Sequence, residues 1–337
     1  MVISRLPMSD NLLRGKRVLI TGGLGFIGSN LALRLAGLGA RLTLVDCLLP
    51  GAGGNAHNIE SLPAETRSIQ GDLRDPAILG QCLPGQQYIF NLAGHTSHQD
   101  SMSRPDLDLE MNVRAQLSLL EGCLTHCPDV RIVFAGTRQI YGKPRYLPVD
   151  ESHPVVPVDI NGIHKFSGEM YHHLYRQVHG IETTVLRLTN TYGPRMRVKD
   201  DRQTFLGTWI KRLLDGEPLR IFGDGEQLRD FTYVDDAIEA LLLCATAPAA
   251  VGRTYNLGSA EVVSLLRLAH LLTQIRGAGG YELVPFPTAR KRIDIGNYHG
   301  DYALIESELG WRPRTTLESG LSTTLAFFDR HREHYWP

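Results

Sequence analysis

From Arg17 onward the chain alternates short, unbroken apolar runs with longer stretches whose apolar positions recur every three or four residues. The runs are Arg17–Ile20, Leu42–Val45, Arg67–Ile69, Tyr88–Leu92, Arg131–Phe134 and Thr183–Arg187. Each predicts a strand. Between them Ile27, Leu31 and Leu35 fall on one helical face, and further helices are predicted near 106–126 and 162–179. Strands that do not alternate apolar with polar residues are buried on both faces. Interleaved with helices, they predict an α/β fold with a doubly wound parallel sheet.

The pattern changes after Tyr192-Gly193-Pro194. Helices are predicted near 202–215, 233–247, 262–276 and 316–333, with short apolar pieces at 219–222 and 281–285. This predicts a smaller mixed α/β unit. The expected division is 1–190 with a returning segment near 231–257, against 191–230 with 258–337. The 337 residues suit two units.

Charge narrows the partners. Lys plus Arg is 35 and Asp plus Glu is 36, a net charge of −1. With no basic block, a nucleic-acid backbone is not an expected ligand. No apolar run reaches the roughly 18 residues of a membrane span, and Met1–Lys16 lacks the apolar core of a signal peptide. A cytoplasmic location is expected. The five cysteines are odd in number, and Cys123, His126 and Cys127 have no second pair of ligands elsewhere, so structural thiols and no metal are expected.

The candidate chemistry starts at Thr21–Gly28. Gly22, Gly25 and Gly28 stand at the first strand-to-helix turn, where glycines let a pyrophosphate approach backbone and the helix N-terminus offers N–H groups. Phe26 and Ile27 belong to the same turn. Asp46 ends the second strand, 24 residues after Gly22, placed to accept from both ribose hydroxyls and to repel a 2′-phosphate. The sheet is therefore expected to be of the Rossmann type with NAD as cofactor. Asp72 and Leu73 follow the third strand toward the adenine, and Ala93 follows the fourth. The next segment, His95 to Met102, is expected to face the substrate, because ligands sit at the carboxyl ends of such strands.

Several further segments bear on identity. They are Phe134–Thr137, Ile140–Gly142, Leu186–Pro194, Ile221–Gly225, Arg229–Asp236 and Tyr255–Gly258. With Thr21–Gly28 and Gly71–Asp75 they resemble the extended short-chain dehydrogenase/reductase family, and within it the nucleotide-sugar epimerases. The resemblance implies a Ser/Thr, a Tyr and a Lys as catalytic groups. Thr137 matches the first and Lys165 the last, the latter also holding the nicotinamide ribose. The tyrosine position falls on Asn161, whose amide does not titrate. The base is then left open among Tyr141, His95, His98, His164 and Lys165 itself. The carboxyl pair that family dehydratases carry after the threonine is replaced by Arg138 and Gln139, which removes the usual acid and base of water elimination.

For substrate, the resemblance implies Asn190, Arg229 and Arg290, with Lys291 or Arg292 as alternatives to the last, around a nucleotide diphosphate and Phe222 beside the base. It also implies a homodimer through the helices near 106–126 and 162–179, where Leu117, Leu120, Leu124, Tyr171, Leu174 and Tyr175 supply apolar surface. The expected function is NAD-dependent epimerisation of a UDP-sugar, or another nucleotide-diphosphate sugar, through transient oxidation at C4. The alternatives are binding of NAD and nucleotide sugar without turnover, or a keto-sugar oxidoreductase.

Overall fold

The computed structural model describes residues 12–200 and 204–336. Twelve strands follow in order: β1 (Arg17–Thr21), β2 (Arg41–Asp46), β3 (Arg67–Gln70), β4 (Tyr88–Asn91), β5 (Arg131–Thr137), β6 (Glu182–Leu188), β7 (Asn190–Tyr192), β8 (Leu219–Phe222), β9 (Leu228–Tyr233), β10 (Thr254–Asn256), β11 (Val262–Ser264) and β12 (Tyr281–Val284). Seven of them form one sheet in the order β10-β6-β5-β4-β1-β2-β3, every neighbouring pair parallel. Ile20 pairs with Leu44 on one side and Phe90 on the other, and all three are fully buried. The unbroken apolar runs reflect that two-sided burial.

The order reverses between β1 and β4, and this crevice at the strand ends is where a doubly wound sheet takes its ligand. The second unit is laid across it. β7, β9 and β11 make a three-stranded sheet, while β8 and β12 form a parallel pair. The chain then returns. Val234–Thr246 packs on β5, β6 and the Phe26–Gly37 helix, and β10 joins the large sheet beside β6.

Two expected helices differ from prediction. Residues 262–264 are strand, because β-branched Val262 and Val263 pair with β9 and the helix starts only after Ser264, whose side chain accepts from Arg267 N. The 106–126 stretch is helix Pro105–Leu109, a π turn Glu110–Arg114, then helix Ala115–His126. π turns break the regular ladder and re-aim side chains; this one turns Asn112 inward. The first residues of the predicted 202–215 helix lie outside the described residues, and Phe205–Leu214 is helical. Leu120 and Tyr175 pack into the core, which leaves Ile163, Met170, Leu174 and Val178 as the exposed apolar positions of the Ile160–His179 helix. Among the described residues no helix is long and apolar enough to cross a membrane.

Candidate active site

One cavity of about 690 Å³ runs along the crevice and into the second unit. Of the catalytic, cofactor and substrate candidates expected at the site, all line it except Tyr141, His164 and the two alternatives to Arg290, Lys291 and Arg292.

At one end the cavity is made of backbone. Gly22 has φ +68°, and a Cβ on it would lie 3.1 Å from the backbone of Ala93. A Cβ on Gly28 would stand 2.2 Å from the Gly22 carbonyl oxygen. The helix Phe26–Gly37 starts at Gly25 with no side-chain cap, so its first amides remain available for a phosphate. Asp46 accepts from Leu24 N (3.1 Å) and Leu48 N (2.9 Å), which fixes the carboxylate at the cavity wall. Burial raises its pKa, opposed by those two amides. Asp72 is oriented by Arg74, whose guanidinium keeps the carboxyl below its usual range. This end fits a dinucleotide: close-approach glycines, uncapped amides and an acceptor at the second strand end.

The middle holds the reactive groups. Thr137 ends β5, and Lys165 lies on the Ile160–His179 helix, started by Asp159 accepting from Gly162 N. Lys165 is buried at the cavity wall, and a Cβ on Gly94 would meet its Nζ at 2.6 Å. Burial lowers its pKa to about 8, with Asp108 opposing. Asn161 sits one turn before Lys165, 2 % exposed. Its Nδ2 donates to the His95 carbonyl (2.7 Å) and to Asp108 Oδ2 (2.9 Å).

Asp108 is the centre of that network and is fully buried. Oδ2 also faces His95 Nδ1 at 3.0 Å, and Oδ1 faces His164 Nδ1 at 2.8 Å. Burial pulls its pKa up, but hydrogen bonds from His95, Asn161, Asn112 and His164 win and hold it at about 2. Asn112, turned in by the π turn, brackets the His95 backbone, accepting from its N–H (3.0 Å) and donating to its carbonyl (2.9 Å). Sequence reasoning missed Asp108 and Asn112. Two acids in the first turn after Pro105 read as an ordinary exposed helix start; only the π turn downstream was a local signal, and no side-chain pattern announces it.

The remaining base candidates separate. His98 Nδ1 lies 3.0 Å from Asp159 Oδ2, beside Gln139. His164 is turned to Asp108 and does not line the cavity. Tyr141 has no exposure, and its hydroxyl is tied to Asn256 Oδ1 (2.6 Å) and Arg187 Nη1 (2.5 Å). Burial pushes its pKa up to about 12. The expectation that Tyr141 acts in the site is therefore corrected: its apolar ring serves the core beside the ion pair of Arg187 and Glu169.

The far end is lined by side chains. Arg229 is held by the carbonyls of Leu228 and Gly296, and Asn190 Oδ1 accepts from Arg138 Nη2 (3.0 Å). Burial, with Arg138 nearby, pulls Arg229 down to about 10. Arg290 stacks over Phe222, 5.1 Å from its ring centre. Guanidinium groups gathered around one cavity are suited to an anion such as a diphosphate.

The chain belongs to the NAD dependent epimerase/dehydratase family, whose model matches residues 18–258. It is 30% identical to a putative UDP-glucose 4-epimerase of Methanocaldococcus jannaschii, over 90% of this chain and 95% of that one. Among solved structures it is similar to UDP-glucose 4-epimerase with UDP-glucose from Thermotoga maritima (TM-score 0.86, 30% identity, 94% of this chain and 99% of that one). It is also similar to the Thermus thermophilus UDP-glucose 4-epimerase complex with NAD (TM-score 0.82, 28% identity, 93% and 98%). The cofactor is NAD.

Proposed function

We propose that the protein is an epimerase of nucleotide-diphosphate sugars, acting on a UDP-sugar by transient oxidation at C4. What supports this is the single cavity, in which the glycine turn, Thr137 with Lys165, and the arginine-and-aromatic end are consecutive. When bound, NAD supplies a hydride acceptor that can return what it takes. The chain's own groups do the rest. Gly22, Gly25, Gly28 and Asp46 hold the dinucleotide, and Lys165 faces the nicotinamide ribose. Thr137 donates to the sugar oxygen at the reacting carbon. Arg229, Arg290 and Asn190 grip the diphosphate while Phe222 packs on the base. That anchor leaves the hexose free to present either face, which epimerisation requires.

Asn161 favours a second reading, retention of NAD and nucleotide sugar without turnover, because an amide takes no proton. Mass spectrometry of the nucleotide released on denaturation should find NAD. Incubation of the holoenzyme with UDP-glucose, UDP-galactose, UDP-glucuronate and the N-acetylated forms should interconvert one 4-epimer pair. NAD retention with nucleotide-sugar binding but no epimer from any of them establishes the second reading instead. NAD retention with no nucleotide-sugar binding overturns both.

The proposal extends to assembly and location. Ile163, Met170, Leu174 and Val178, each about half exposed on one helix, would be covered in a two-fold homodimer. Light scattering that shows only monomer at micromolar concentration overturns this. A cytoplasmic location is part of the same reading.

A further inference from the structure

We infer that His95, oriented by Asp108, is the general acid–base of this site and takes over the proton transfer that Asn161 cannot perform. The inference rests on the epimerase reading above.

The geometry is that of a carboxylate-oriented imidazole. Asp108 Oδ2 lies 3.0 Å from His95 Nδ1, and Asp108 has no contact with solvent. A carboxylate held ionised accepts the Nδ1 proton and so leaves Nε2 as the lone-pair nitrogen. The backbone of His95 is clamped as well, by Asn112 on both its N–H and carbonyl and by Asn161 on the carbonyl. Asn161 therefore has a task other than proton transfer. It donates to the same Asp108 oxygen that faces His95, fixing both partners of the dyad. His95 lines the cavity at the end of β4, next to Gly94, against which Lys165 Nζ is packed. It therefore adjoins Lys165, which the resemblance puts at the nicotinamide ribose. His98 also lines the cavity and faces a carboxylate, Asp159 Oδ2 at 3.0 Å, beside the Gln139 amide, so it is the competitor that the variants below separate from His95.

The step balances. His95 Nε2 takes the proton of the C4 hydroxyl as the O–H bond breaks. The C4 hydrogen leaves with its electron pair to oxidised nicotinamide, and C4 becomes a carbonyl carbon. After the hexose turns over, the hydride returns to the other face and the imidazolium gives the proton back to the oxygen. The charges facing His95 suit a transient cation: Asp108 on Pro105–Leu109, and Asp100 on His98–Ser103 with Oδ2 3.9 Å from Nε2. Lys165 and His164 on Ile160–His179 are the nearby groups that oppose it.

Two readouts test this on the holoenzyme. In ring-labelled histidine NMR, the signal removed by His95→Gln identifies His95. It should show a protonated Nδ1 and a bare Nε2 that shifts on addition of the UDP-hexose. In turnover, His95→Gln should lower kcat by about 10²–10⁴-fold with NAD content unchanged. Asp108→Asn should lower kcat with the KM for the UDP-hexose and the NAD content unchanged, because the carboxylate that fixes the imidazole is gone. A His95→Gln enzyme that keeps its rate, or a loss confined to His98→Gln, overturns the assignment while leaving the epimerase reading intact. If no UDP-hexose is epimerised but one of them generates the near-ultraviolet band of reduced nicotinamide, the epimerase reading falls and His95 is judged on that band. If neither product nor band is seen, both fall. A protonated Nε2 in the NMR experiment overturns His95 as base whatever the turnover.

Discussion

The two ends of the cavity solve ligand binding with different materials. The glycine-turn end is main chain: a left-handed Gly22, uncapped amides before the Phe26–Gly37 helix, and one carboxylate fixed by two backbone N–H groups. The far end is long side chains, Arg229, Arg290 and Phe222, borne on two short strands and a five-residue helix of the second unit. Main chain cannot be re-specified one residue at a time without moving a helix, whereas side chains can. The difference teaches where change is tolerated: a fixed cofactor grip and an adjustable substrate grip, meeting at a middle that holds the departure at Asn161.

The sharpest way to break the contrast is to fill the backbone end. Gly28→Ala places a methyl 2.2 Å from the Gly22 carbonyl oxygen, so the helix start must move. Overpacking of this kind should cost about 3 kcal/mol, roughly 100-fold in NAD affinity by calorimetry. The matching change at the far end, Arg229→Gln, should weaken UDP-sugar binding by about 2 kcal/mol with NAD content unchanged. Loss of both ligands together would erase the distinction between the ends. Asp46→Ala should cost about 1–2 kcal/mol in NAD affinity and narrow the preference for NAD over NADP. Equal affinities in the wild type would remove the basis for that preference.

The smallest effect concerns the middle. In the ligand-free protein Lys165 is buried, and its pKa falls to about 8. The unfolded chain holds that proton up to about 10.4. Between these values the unfolded state binds more protons, so this group's contribution to stability rises with pH. Below about pH 8 its buried charge costs the full penalty. Lys165→Met should therefore stabilise the apo protein by about 1 kcal/mol at neutral pH. The gain should fade above pH 8, as followed by thermal denaturation; a gain that grows with pH contradicts it.

The same contrast decides what was legible in the sequence. Gly22 and Gly28 announce themselves because a backbone demand excludes nearly every other residue, and Asp46 because strand length fixes its distance from them. Arg229 was visible only through the motif around it. Asp108 was not legible. It reaches His95 from a five-residue helix, and its aim depends on the π turn that follows, a departure from helical period that no apolar pattern carries. Tyr141 failed in the opposite way. It stands four residues after Thr137, where a turn Arg138–Tyr141 sends it into an apolar cluster with Val149, Ile295 and Tyr298 rather than into the cavity. The fold of the first half read well because burial on both faces leaves unbroken apolar runs. β7, β9 and β11 were missed because three to six residues of half-polar strand carry too little pattern.

The late return of β10 has a consequence for how the chain comes off the ribosome. Thr254 and Asn256 pair with Val185 and Arg187, and Leu257 N closes on the Arg187 carbonyl. Until residue 256 is synthesised, β6 is an open edge with unpaired amides, and the whole intervening segment must be held off it. At roughly 5–20 residues per second that is an interval of several seconds in which a nascent sheet can pair with a neighbour. The strand that completes the nucleotide-binding half is thus withheld until the first stretch of the other half, 191–230, has been made, so the two halves cannot be matured, shed or exchanged as independent modules.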